Sequence, residues 1–418
     1  MSRFLATALI FATYHVAPAS AQTDLPKDPS LSLRFRIEEV DKSLKVGYAV
    51  ITADVDGDGK LDIVVVDTNE VVWYQNPTWT KRTIIKDQTR DDNVCIAAAD
   101  IDGDGKIDFA LGADWRRGFQ TREGGTIQWL QRGASLDQPW TVHPIGELPT
   151  VHRMRFVDLD GDGKQHLVVA PLMGRGATRD GNWCDGDPVR ILAYPIPADP
   201  VRGPWKPRVL AESLHVVHGI APIPAEKRPG FDLLAASYDG VSLIQPRGAA
   251  DGPWSARQIG AGNQESLRES RGTSEIKPGK LRSGKAFLAA IEPWHGGQVV
   301  VYSPPDNPEK LWDRQVIDSR LRWGHAVWCA DLDGDGGDEI VVGVRDDPRG
   351  SDIFPDRRGV RIYRFAEDSR RWHRQVMDDE GKVAVEDLTC ADLNGDGRID
   401  IIAVGRQTGN LRIYWNEK

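Results

Sequence analysis

The stretch ADVDGDGKLDIVV (residues 53–65) decides how this chain folds, because the same acidic loop between two strand-like runs occurs five times. The other copies are ADIDGDGKIDFAL (99–111), VDLDGDGKQHLVV (157–169), ADLDGDGGDEIVV (330–342) and ADLNGDGRIDIIA (391–403). Aspartates at loop positions 1, 3, 5 and 9 place hard oxygen atoms around one point, and the glycine at position 6 permits a sharp turn. This pattern is typical of calcium. The flanks are β-branched rather than helical and position 12 of the first copy is Val65, so the loop is not an EF-hand.

The spacing of the copies indicates further repeats. The interval from Asp158 to Asp331 is roughly three times the other intervals, which predicts two degenerate repeats inside it. These are HVVHGIAPIPAEKRPGFDLLAAS (215–237) and TSEIKPGKLRSGKAFLAAIEPW (273–294), which keep the strand–turn–strand pattern without the aspartates. A tryptophan-led strand such as WTKRTII (79–85) recurs late in the repeats. The acidic loops therefore belong to repeats 1, 2, 3, 6 and 7, and we number them accordingly.

Repeats of this length with about four short strands each indicate the blades of a β-propeller. The last repeat ends at LRIYWNEK (411–418) without a tryptophan-led strand, whereas LRFRIEEV (33–40) has the character of the missing strand. We therefore predict an all-β fold, a seven-bladed β-propeller over residues 22–418, whose ring is closed by the N-terminal strand. Such closure leaves no open sheet edge.

Each loop has its own predicted set of calcium ligands. In loop 1 they are Asp54, Asp56, Asp58, Asp62 and the Lys60 carbonyl, and in loop 2 they are Asp100, Asp102, Asp104, Asp108 and the Lys106 carbonyl. Loop 3 offers Asp158, Asp160 and Asp162, with His166 at position 9; loop 6 offers Asp331, Asp333, Asp335 and Glu339; loop 7 offers Asp392, Asn394, Asp396 and Asp400. Asp-Gly clusters also form tight turns without any metal. The shared register favours structural calcium in loops 1, 2, 6 and 7.

With these repeats the chain resembles the FG-GAP/VCBS repeat family, whose calcium loops also occur in the propellers of integrin α-subunits. The resemblance covers nearly all of residues 31–418. It implies a calcium-binding propeller but leaves the activity open, because folds of this kind carry many functions.

The N-terminal residues predict export. Residues 1–21 read as a secretory signal peptide, in which Phe4–Val16 is apolar and Ala19-Ser20-Ala21 suits cleavage. We expect a secreted or periplasmic protein without a membrane span, since no segment is long and apolar enough to cross a bilayer. The net charge of −9 is concentrated in the acidic loops, and no basic stripe suggests a nucleic-acid partner.

The face opposite the acidic loops is the predicted functional site. The starts of the first strands and the ends of the second strands meet there, and they carry an unusual number of histidines. The candidate catalytic residues are His152, Arg153, His215, His218, Glu292, His295, His325, Arg345 and Glu386. We expect Trp115, Trp183 and Trp294 to be exposed there and to stack on sugar rings. Alternatively, these residues serve packing and interblade ion pairs. Convergence from several blades favours a site.

A histidine-rich funnel suits proton abstraction beside a carbonyl or carboxylate, followed by elimination. One histidine would be the base, and an arginine or a divalent transition metal held by histidines would stabilise the anion. The stretches RWGHAVWCADLDGDGGDEIVVGVRDD (322–347) and EPWHGG (292–297) resemble the propeller part of aldos-2-ulose dehydratases, which eliminate water from keto-sugars. The resemblance implies a lyase or dehydratase acting on keto- or acidic sugars. The alternative is a non-catalytic propeller that binds a glycan or a protein.

Overall fold

The structure, a computed structural model, describes residues 33–115, 120–248, 252–265, 270–345, 358–377 and 383–417. The predicted signal peptide, residues 1–21, lies outside the described residues. Within the described ranges the chain forms 28 strands arranged as seven four-stranded antiparallel sheets, with no helix. The prediction of an all-β, seven-bladed propeller is confirmed.

The strands are numbered in chain order, and β1 spans Phe35–Asp41. Blade 1 contains β2 (Ala49–Ala53), β3 (Asp62–Val66), β4 (Glu70–Gln75) and β5 (Thr80–Lys86). Blade 2 contains β6 (Cys95–Ala99), β7 (Asp108–Ala113), β8 (Thr126–Gln131) and β9 (Thr141–Glu147). Blade 3 contains β10 (Val151–Val157), β11 (His166–Pro171), β12 (Val189–Pro195) and β13 (Arg208–Leu214).

The remaining blades follow the same order. Blade 4 contains β14 (Gly219–Pro224), β15 (Phe231–Ser237), β16 (Gly240–Pro246) and β17 (Trp254–Gly260). Blade 5 contains β18 (Glu275–Lys280), β19 (Ala286–Glu292), β20 (Gln298–Ser303) and β21 (Asp313–Asp318). Blade 6 contains β22 (Gly324–Ala330), β23 (Glu339–Val344), β24 (Gly359–Ala366) and β25 (Arg371–Val376). Blade 7 contains β26 (Val385–Ala391), β27 (Asp400–Gly405) and β28 (Leu411–Asn416), with β1 as its fourth strand.

The second strand of each blade is the most apolar, because neighbouring blades cover both of its faces. The DIVVV run of β3 and the HLVVAP run of β11 are buried at every position. Outer strands such as β5 are mostly exposed, and only Ile84 and Ile85 of β5 are buried. Aromatic residues fill the space between blades; Trp140 stacks on Phe109 with ring centroids 5.3 Å apart. The core is therefore a ring of interblade layers.

The N-terminal strand joins the last blade. β1 pairs with β28 in antiparallel register, with Phe35 opposite Asn416. Direct contacts also link the first and last blades: the Val50 amide donates to Oδ2 of Asp387 at 3.0 Å, and Nδ2 of Asn76 donates to the Leu393 carbonyl at 2.7 Å. Both ends of the described chain are thus held in one sheet.

The order of strands separates two faces of the disc. Each acidic loop connects the first and second strands of its blade, as loop 1 does between β2 and β3. The opposite ends of those strands lie together on the other face, which we call the funnel face. A search of the described residues found no helix with the length and hydropathy needed to cross a membrane.

Candidate functional site

Four histidines from four blades meet at the funnel face, and we call them the histidine cluster: His152, His218, His295 and His325. The ring of His218 is central. Its centroid lies 4.7 Å from that of His152, 4.9 Å from that of His295 and 5.0 Å from that of His325. The rings of His295 and His325 stack at 4.9 Å. The sequence analysis placed these residues on one face, and the structure brings their rings into contact.

Local structure explains how each ring reaches the cluster. His152 and His325 lie at the second positions of β10 and β22, and His218 immediately precedes β14. His295 follows β19 in a turn with φ of +51°, a left-handed conformation that is uncommon for residues other than glycine. The four imidazoles therefore meet at one point. Two of them come from inner strands, one from the residue before a strand and one from a turn.

Hydrogen bonds fix the orientation of two of the rings. Nδ1 of His218 lies 2.8 Å from Oε1 of Glu275, and Nδ1 of His325 lies 2.5 Å from the backbone carbonyl oxygen of Glu386. When a ring donates through Nδ1, its Nε2 keeps a lone pair. Nε2 of His218 lies 3.1 Å from Nε2 of His295. Rings anchored through one nitrogen, with the other directed at a shared point, are typical of metal-ligating histidines.

The geometry of three of these rings fits a metal ion. One ring nitrogen from each of His218, His295 and His325 lies within 4.8 Å of the other two. Three neutral imidazoles with an open fourth position form the ligand set of many catalytic zinc sites. The described residues can therefore hold a divalent transition metal with this trio.

Burial and nearby cations keep the cluster uncharged. Burial is the main cause that holds the pKa of His152, His295 and His325 well below its usual range, and the positive charges of Arg153 and Arg345 add to it. Burial also lowers the pKa of His218, although the bond to Glu275 opposes this. Neutral imidazoles can accept protons or bind metal at pH 7.

His152 differs from the other three rings. Nη1 of Arg153 lies 3.2 Å from its Nε2, whereas its Nδ1 is buried without a hydrogen-bond partner among the described residues. A buried polar atom without a partner is costly. Because the atom itself is buried, a bound molecule can reach this nitrogen only when the ring or its neighbours move.

Two carboxylates connect arginines to the cluster. Oε1 of Glu275 accepts from Nη2 of Arg153 at 2.7 Å. Burial alone would raise the pKa of Glu275, but Arg153 and His218 lower it to about 2. Glu386 accepts from Arg345 at 2.8 Å and from Arg406 at 2.6 Å, and these arginines hold its pKa below the usual value despite burial. Both carboxylates are anions at neutral pH.

Aromatic rings surround the cluster. Trp294 stacks on His295 with centroids 4.6 Å apart, Trp323 lies 5.7 Å from His295, and Trp115 lies 5.8 Å from His152. Flat rings of this kind suit the apolar faces of sugars. The expectation of exposed tryptophans is wrong for Trp183, whose side chain is buried and packs with Met173 and other residues of its loop. Trp115 and Trp294 are half-buried rather than exposed.

Two of the predicted catalytic residues contact other groups. Nδ1 of His215 lies 3.3 Å from Oδ2 of Asp239. Glu292 is fully buried; it accepts from Arg314 at 2.7 Å and from Tyr302. A similar network joins Asp318 of blade 5 to Tyr363 and Arg374 of blade 6. The recurrence of this tyrosine–acid–arginine network indicates that it fastens the outer strands of the blades.

Sequence reasoning left four residues of the site out of its catalytic list, namely Glu275, Arg406, Trp323 and Tyr48. Arg406 lies 5.0 Å from the Tyr48 ring, which in turn contacts Trp115. Glu275 opens β18, an inner strand like the one that carries His152. The start of an inner strand was therefore the signal that could have identified Glu275. Blade 5 lacks an acidic loop, however, so the register of its strands could not be set from the sequence.

The five acidic loops on the other face share one backbone geometry. In loop 1, Asp54 accepts hydrogen bonds from the amides of Gly57 and Gly59, whose φ angles are +82° and +85°. Loops 2, 3, 6 and 7 repeat these two bonds. Three groups of carboxylates converge closely enough to hold a metal ion: Asp54, Asp56, Asp58; Asp100, Asp102, Asp108; and Asp331, Asp333, Glu339.

Arginines distinguish loops 3 and 6 from loops 1 and 2. Arg364 on β24 contacts Asp333 in loop 6, and its guanidinium lies 3.5 Å from Asp335 and 3.8 Å from Glu339. In loop 3, Nη2 of Arg208 lies 2.9 Å from both oxygens of Asp160. In loops 1 and 2 the neutral amides of Gln75 and Gln131 contact the position-3 aspartates at 2.7 Å. Among the described residues, a guanidinium from another strand therefore balances the acidic charge in loops 3 and 6, whereas in loop 7 Arg398 of the loop itself contacts Asp396.

Comparison with family models identifies the repeats. The model of the FG-GAP-like repeat matches residues 54–111. The chain is a seven-bladed β-propeller that contains FG-GAP-like repeats. The model of the aldos-2-ulose dehydratase β-propeller domain matches residues 124–305, and an EF-hand model matches residues 385–401. Because strands β26 and β27 flank loop 7 in this propeller, the last match reflects the acidic loop rather than a pair of helices.

Curated relatives include a dehydratase and integrin alpha chains. Aldos-2-ulose dehydratase of Phanerodontia chrysosporium is 28% identical over 243 residues, which cover 53% of this chain and 26% of that protein. Integrin alpha pat-2 of Caenorhabditis elegans is 29% identical over 184 residues, which cover 40% of this chain and 14% of the integrin. The propeller thus spans about a quarter of the dehydratase and a smaller part of the integrin.

Solved structures support the fold alone. A chain from the crystal structure of BBS1N in complex with ARL6DN superposes with a TM-score of 0.53 at 14% identity, covering 92% of this chain and 97% of that one. The extracellular domain of a hybrid two-component system from B. thetaiotaomicron superposes with a TM-score of 0.53 at 11% identity, covering 91% of this chain and 40% of that one.

Proposed function

We propose that the histidine cluster is the reactive centre of a lyase that removes water from a keto- or acidic sugar. The observation that carries this proposal is the trio His218, His295 and His325, whose ring nitrogens lie within 4.8 Å of one another while Glu275 and the Glu386 carbonyl anchor two of the rings. The similarity to aldos-2-ulose dehydratase supports the reaction class.

The trio would hold a divalent transition metal, for which zinc is the best match in ligand type and number. Such an ion would act as a Lewis acid on the carbonyl oxygen of the substrate. The chain supplies neutral imidazoles for this role, because burial lowers the pKa of His295 and His325. Glu275 and Glu386 add negative charge beside the trio and so favour a cation there.

His152 is the residue we assign to proton transfer. In the tautomer protonated at Nε2, its Nδ1 has a free lone pair, and Nη1 of Arg153 can keep the His152 carbonyl oxygen, 3.2 Å away, as its acceptor. Nδ1 takes a proton from the carbon beside the carbonyl, and the electron pair of that bond becomes the enolate. As the new carbon–carbon double bond forms, the neighbouring hydroxyl leaves and takes the proton from the imidazolium. One water is released, and no oxidant or reductant is needed.

The surroundings of the cluster suit a sugar ring. Trp294 and Trp323 offer flat faces beside His295, and Trp115 does so beside His152. Arg345 lies over the Trp323 ring and Arg406 over the Tyr48 ring, and both guanidinium groups can donate hydrogen bonds to hydroxyls or to a carboxylate. An aldos-2-ulose, which has adjacent carbonyl carbons and a hydroxyl to eliminate, is the first substrate to test.

The direct test is a turnover assay with an aldos-2-ulose, in which the unsaturated product is detected by ultraviolet absorbance. We expect His152→Ala to lose about 10²–10⁴-fold in rate, as is typical for a general base. The matched control is His143→Ala, because His143 stacks on Trp129 in blade 2, away from the cluster. Equal turnover by His152→Ala and native protein would contradict the assignment of His152.

The second candidate is a binding propeller without turnover, which the similarity to integrin alpha pat-2 and the aromatic rings around the cluster favour. In that case a glycan or protein partner would bind at the funnel face. Substitution of Trp294 would then abolish binding, while no keto-sugar or uronic-acid glycan would be converted by the native protein.

Structural calcium and export complete the proposal. We propose that loops 1, 2 and 7 bind calcium, because none of them has a guanidinium from another strand on its carboxylates in the described residues. Free calcium outside the cell is high enough to fill weak sites of this type. Fractionation of the producing cells tests the secreted or periplasmic location.

A further inference from the structure

A second cavity lies in the central channel, beyond the histidine cluster when viewed from the funnel face. It has a volume of about 360 Å³ and is lined by residues from six of the inner strands: β2, β6, β10, β18, β22 and β26. Small side chains such as Ala49, Ala97 and Ala326 leave the space open. Arg153 and Glu275 border this cavity and also contact His152 and His218. The proposed elimination makes no use of this space.

The charges that face the cavity do not balance. Its lining carries three cations, Arg153, Arg155 and Lys277, and two carboxylates, Glu275 and Asp387. Its thiols, Cys95 and Cys390, are neutral because burial raises their pKa. Glu275 is already bonded to Arg153 and His218. Asp387 accepts from two backbone amides, those of Val50 and Leu388. Counted by formal charges, the cavity is left with one excess positive charge, and burial raises the pKa of Asp387.

Two of the cations lack an ion-pair partner. Among the described residues, neither Arg155 nor Lys277 has a carboxylate within 4.0 Å. Arg155 donates only to the backbone carbonyl of Met154, at 2.7 Å, and Nζ of Lys277 lies over the Trp328 ring, 4.4 Å from its centroid. Burial and the nearby Arg155 lower the pKa of Lys277 to about 8. The positive charges of Arg155 and Lys277 therefore repel each other. Charges held in this way in low dielectric are costly unless an anion joins them.

We propose that the channel cavity binds a small organic monocarboxylate between Arg155 and Lys277. A monoanion cancels the single excess charge, whereas a phosphate dianion would leave an excess of negative charge. A guanidinium receives a carboxylate in two parallel hydrogen bonds, and an ammonium adds a third contact. The volume is far larger than a halide needs. The alanines, Thr52, Thr389 and Trp328 would contact a carbon skeleton with hydroxyl groups.

This site is separate from the reaction centre but adjoins it through Arg153. The Arg153 guanidinium contacts Glu275 and His152 and also borders the channel cavity. A carboxylate bound in the channel cavity would compete with Glu275 for the Arg153 guanidinium. The site could therefore hold an acidic sugar that modulates the cluster without being converted there.

The test uses sodium gluconate as the probe and sorbitol as its neutral comparator, titrated into the full chain by calorimetry. We expect gluconate to bind and sorbitol not to bind. Lys277→Met and Arg155→Met should each weaken gluconate binding by about tenfold or more, since each removes a charge-assisted contact. The matched control is Lys280→Met, because Lys280 is exposed on the same strand and does not line the cavity.

His325→Ala separates this site from the histidine cluster, and it should bind gluconate as the native protein does. Loss of binding in His325→Ala with retention in Lys277→Met would place the anion at the cluster and overturn the proposal. Equal binding by native protein and Lys277→Met, or tighter binding of inorganic phosphate than of gluconate, would also overturn it.

If the methionine variants fail to fold, Lys277→Gln replaces them. Thermal melting of the native protein then gives a measurement without substitution, in which gluconate and not sorbitol must raise the midpoint.

Discussion

Oε1 of Glu275 lies 2.8 Å from Nδ1 of His218, and this bond joins an acidic residue of blade 5 to the central ring of the histidine cluster. Because His218 donates through Nδ1, its Nε2 faces the ring of His295. The same carboxylate oxygen accepts from Arg153. Glu275 therefore links the proposed metal trio, the proposed base and the channel cavity. We assign it a positioning role and not a contact with the substrate.

The first prediction concerns this carboxylate. Glu275→Gln removes the negative charge that orients His218 and offsets its neighbours, so metal affinity should fall by about 10- to 100-fold. Zinc titration against a competing chelator measures the change. The matched control is Glu309→Gln, whose residue is exposed on a surface loop and should bind zinc as the native protein does. Zinc affinity within about twofold of the native value in Glu275→Gln would contradict the role of Glu275.

The second prediction is that calcium stabilises the propeller. A ligand that binds only the folded state adds about 2.7 kcal/mol per site to the free energy of unfolding when its concentration is 100 times its Kd. Thermal melting in calcium should therefore have a higher midpoint than melting in a chelator that removes calcium. Magnesium at the same concentration serves as the control for ionic strength. Superimposable melting curves with and without calcium would count against calcium in all of loops 1, 2 and 7.

The third prediction is that Arg364 replaces calcium in loop 6. Arg364→Gln puts an amide where loops 1 and 2 have Gln75 and Gln131, and it removes the guanidinium from Asp333, Asp335 and Glu339. Equilibrium dialysis with radioactive calcium should then show one more bound ion than the native protein. Arg257→Gln, an exposed change on β17, is the control and should leave the number unchanged. The idea fails if Arg364→Gln and native protein bind the same number of ions.

The fourth prediction is a loss of calcium affinity under mildly acidic conditions. Burial raises the pKa of Asp62 and Asp108, at position 9 of loops 1 and 2, to about 6. A carboxylate must be deprotonated to bind metal, so protons compete with calcium as the pH falls through 6. Affinity should fall by up to about tenfold per pH unit per site below that value. Calorimetric titrations at pH 7.5 and pH 5 measure it, and equal affinities would show that these aspartates titrate near their ordinary value.

The fold could be predicted because repetition carries its own register. Five loops with the same glycines fix where each first strand ends and each second strand begins, and the degenerate blades follow from the interval between Asp158 and Asp331. The same topology placed His152, His218, His295 and His325 on one face. Periodicity therefore specified the blades and the face on which each strand end lies.

Side-chain contacts could not be predicted in the same way. His215 and His218 are three residues apart before β14, yet His215 pairs with Asp239 and His218 joins the cluster. Arg364 reaches loop 6 from the third strand of its blade, a contact that depends on strand pairing rather than on a motif. Trp183 is buried because its loop folds back on Met173 and Tyr238. These outcomes depend on side-chain packing, which residue spacing does not encode.

The most direct test of the proposed reaction centre is anomalous diffraction at the zinc absorption edge from crystals of the native protein grown with zinc. We predict an anomalous peak for a zinc ion bound by His218, His295 and His325, at about 2.0–2.1 Å from one nitrogen of each ring. The same peak should be missing from crystals of His295→Ala and present in those of His143→Ala. Native crystals without anomalous density among these three rings, when zinc is in excess and the rings are placed as they are here, would contradict the metal-assisted lyase.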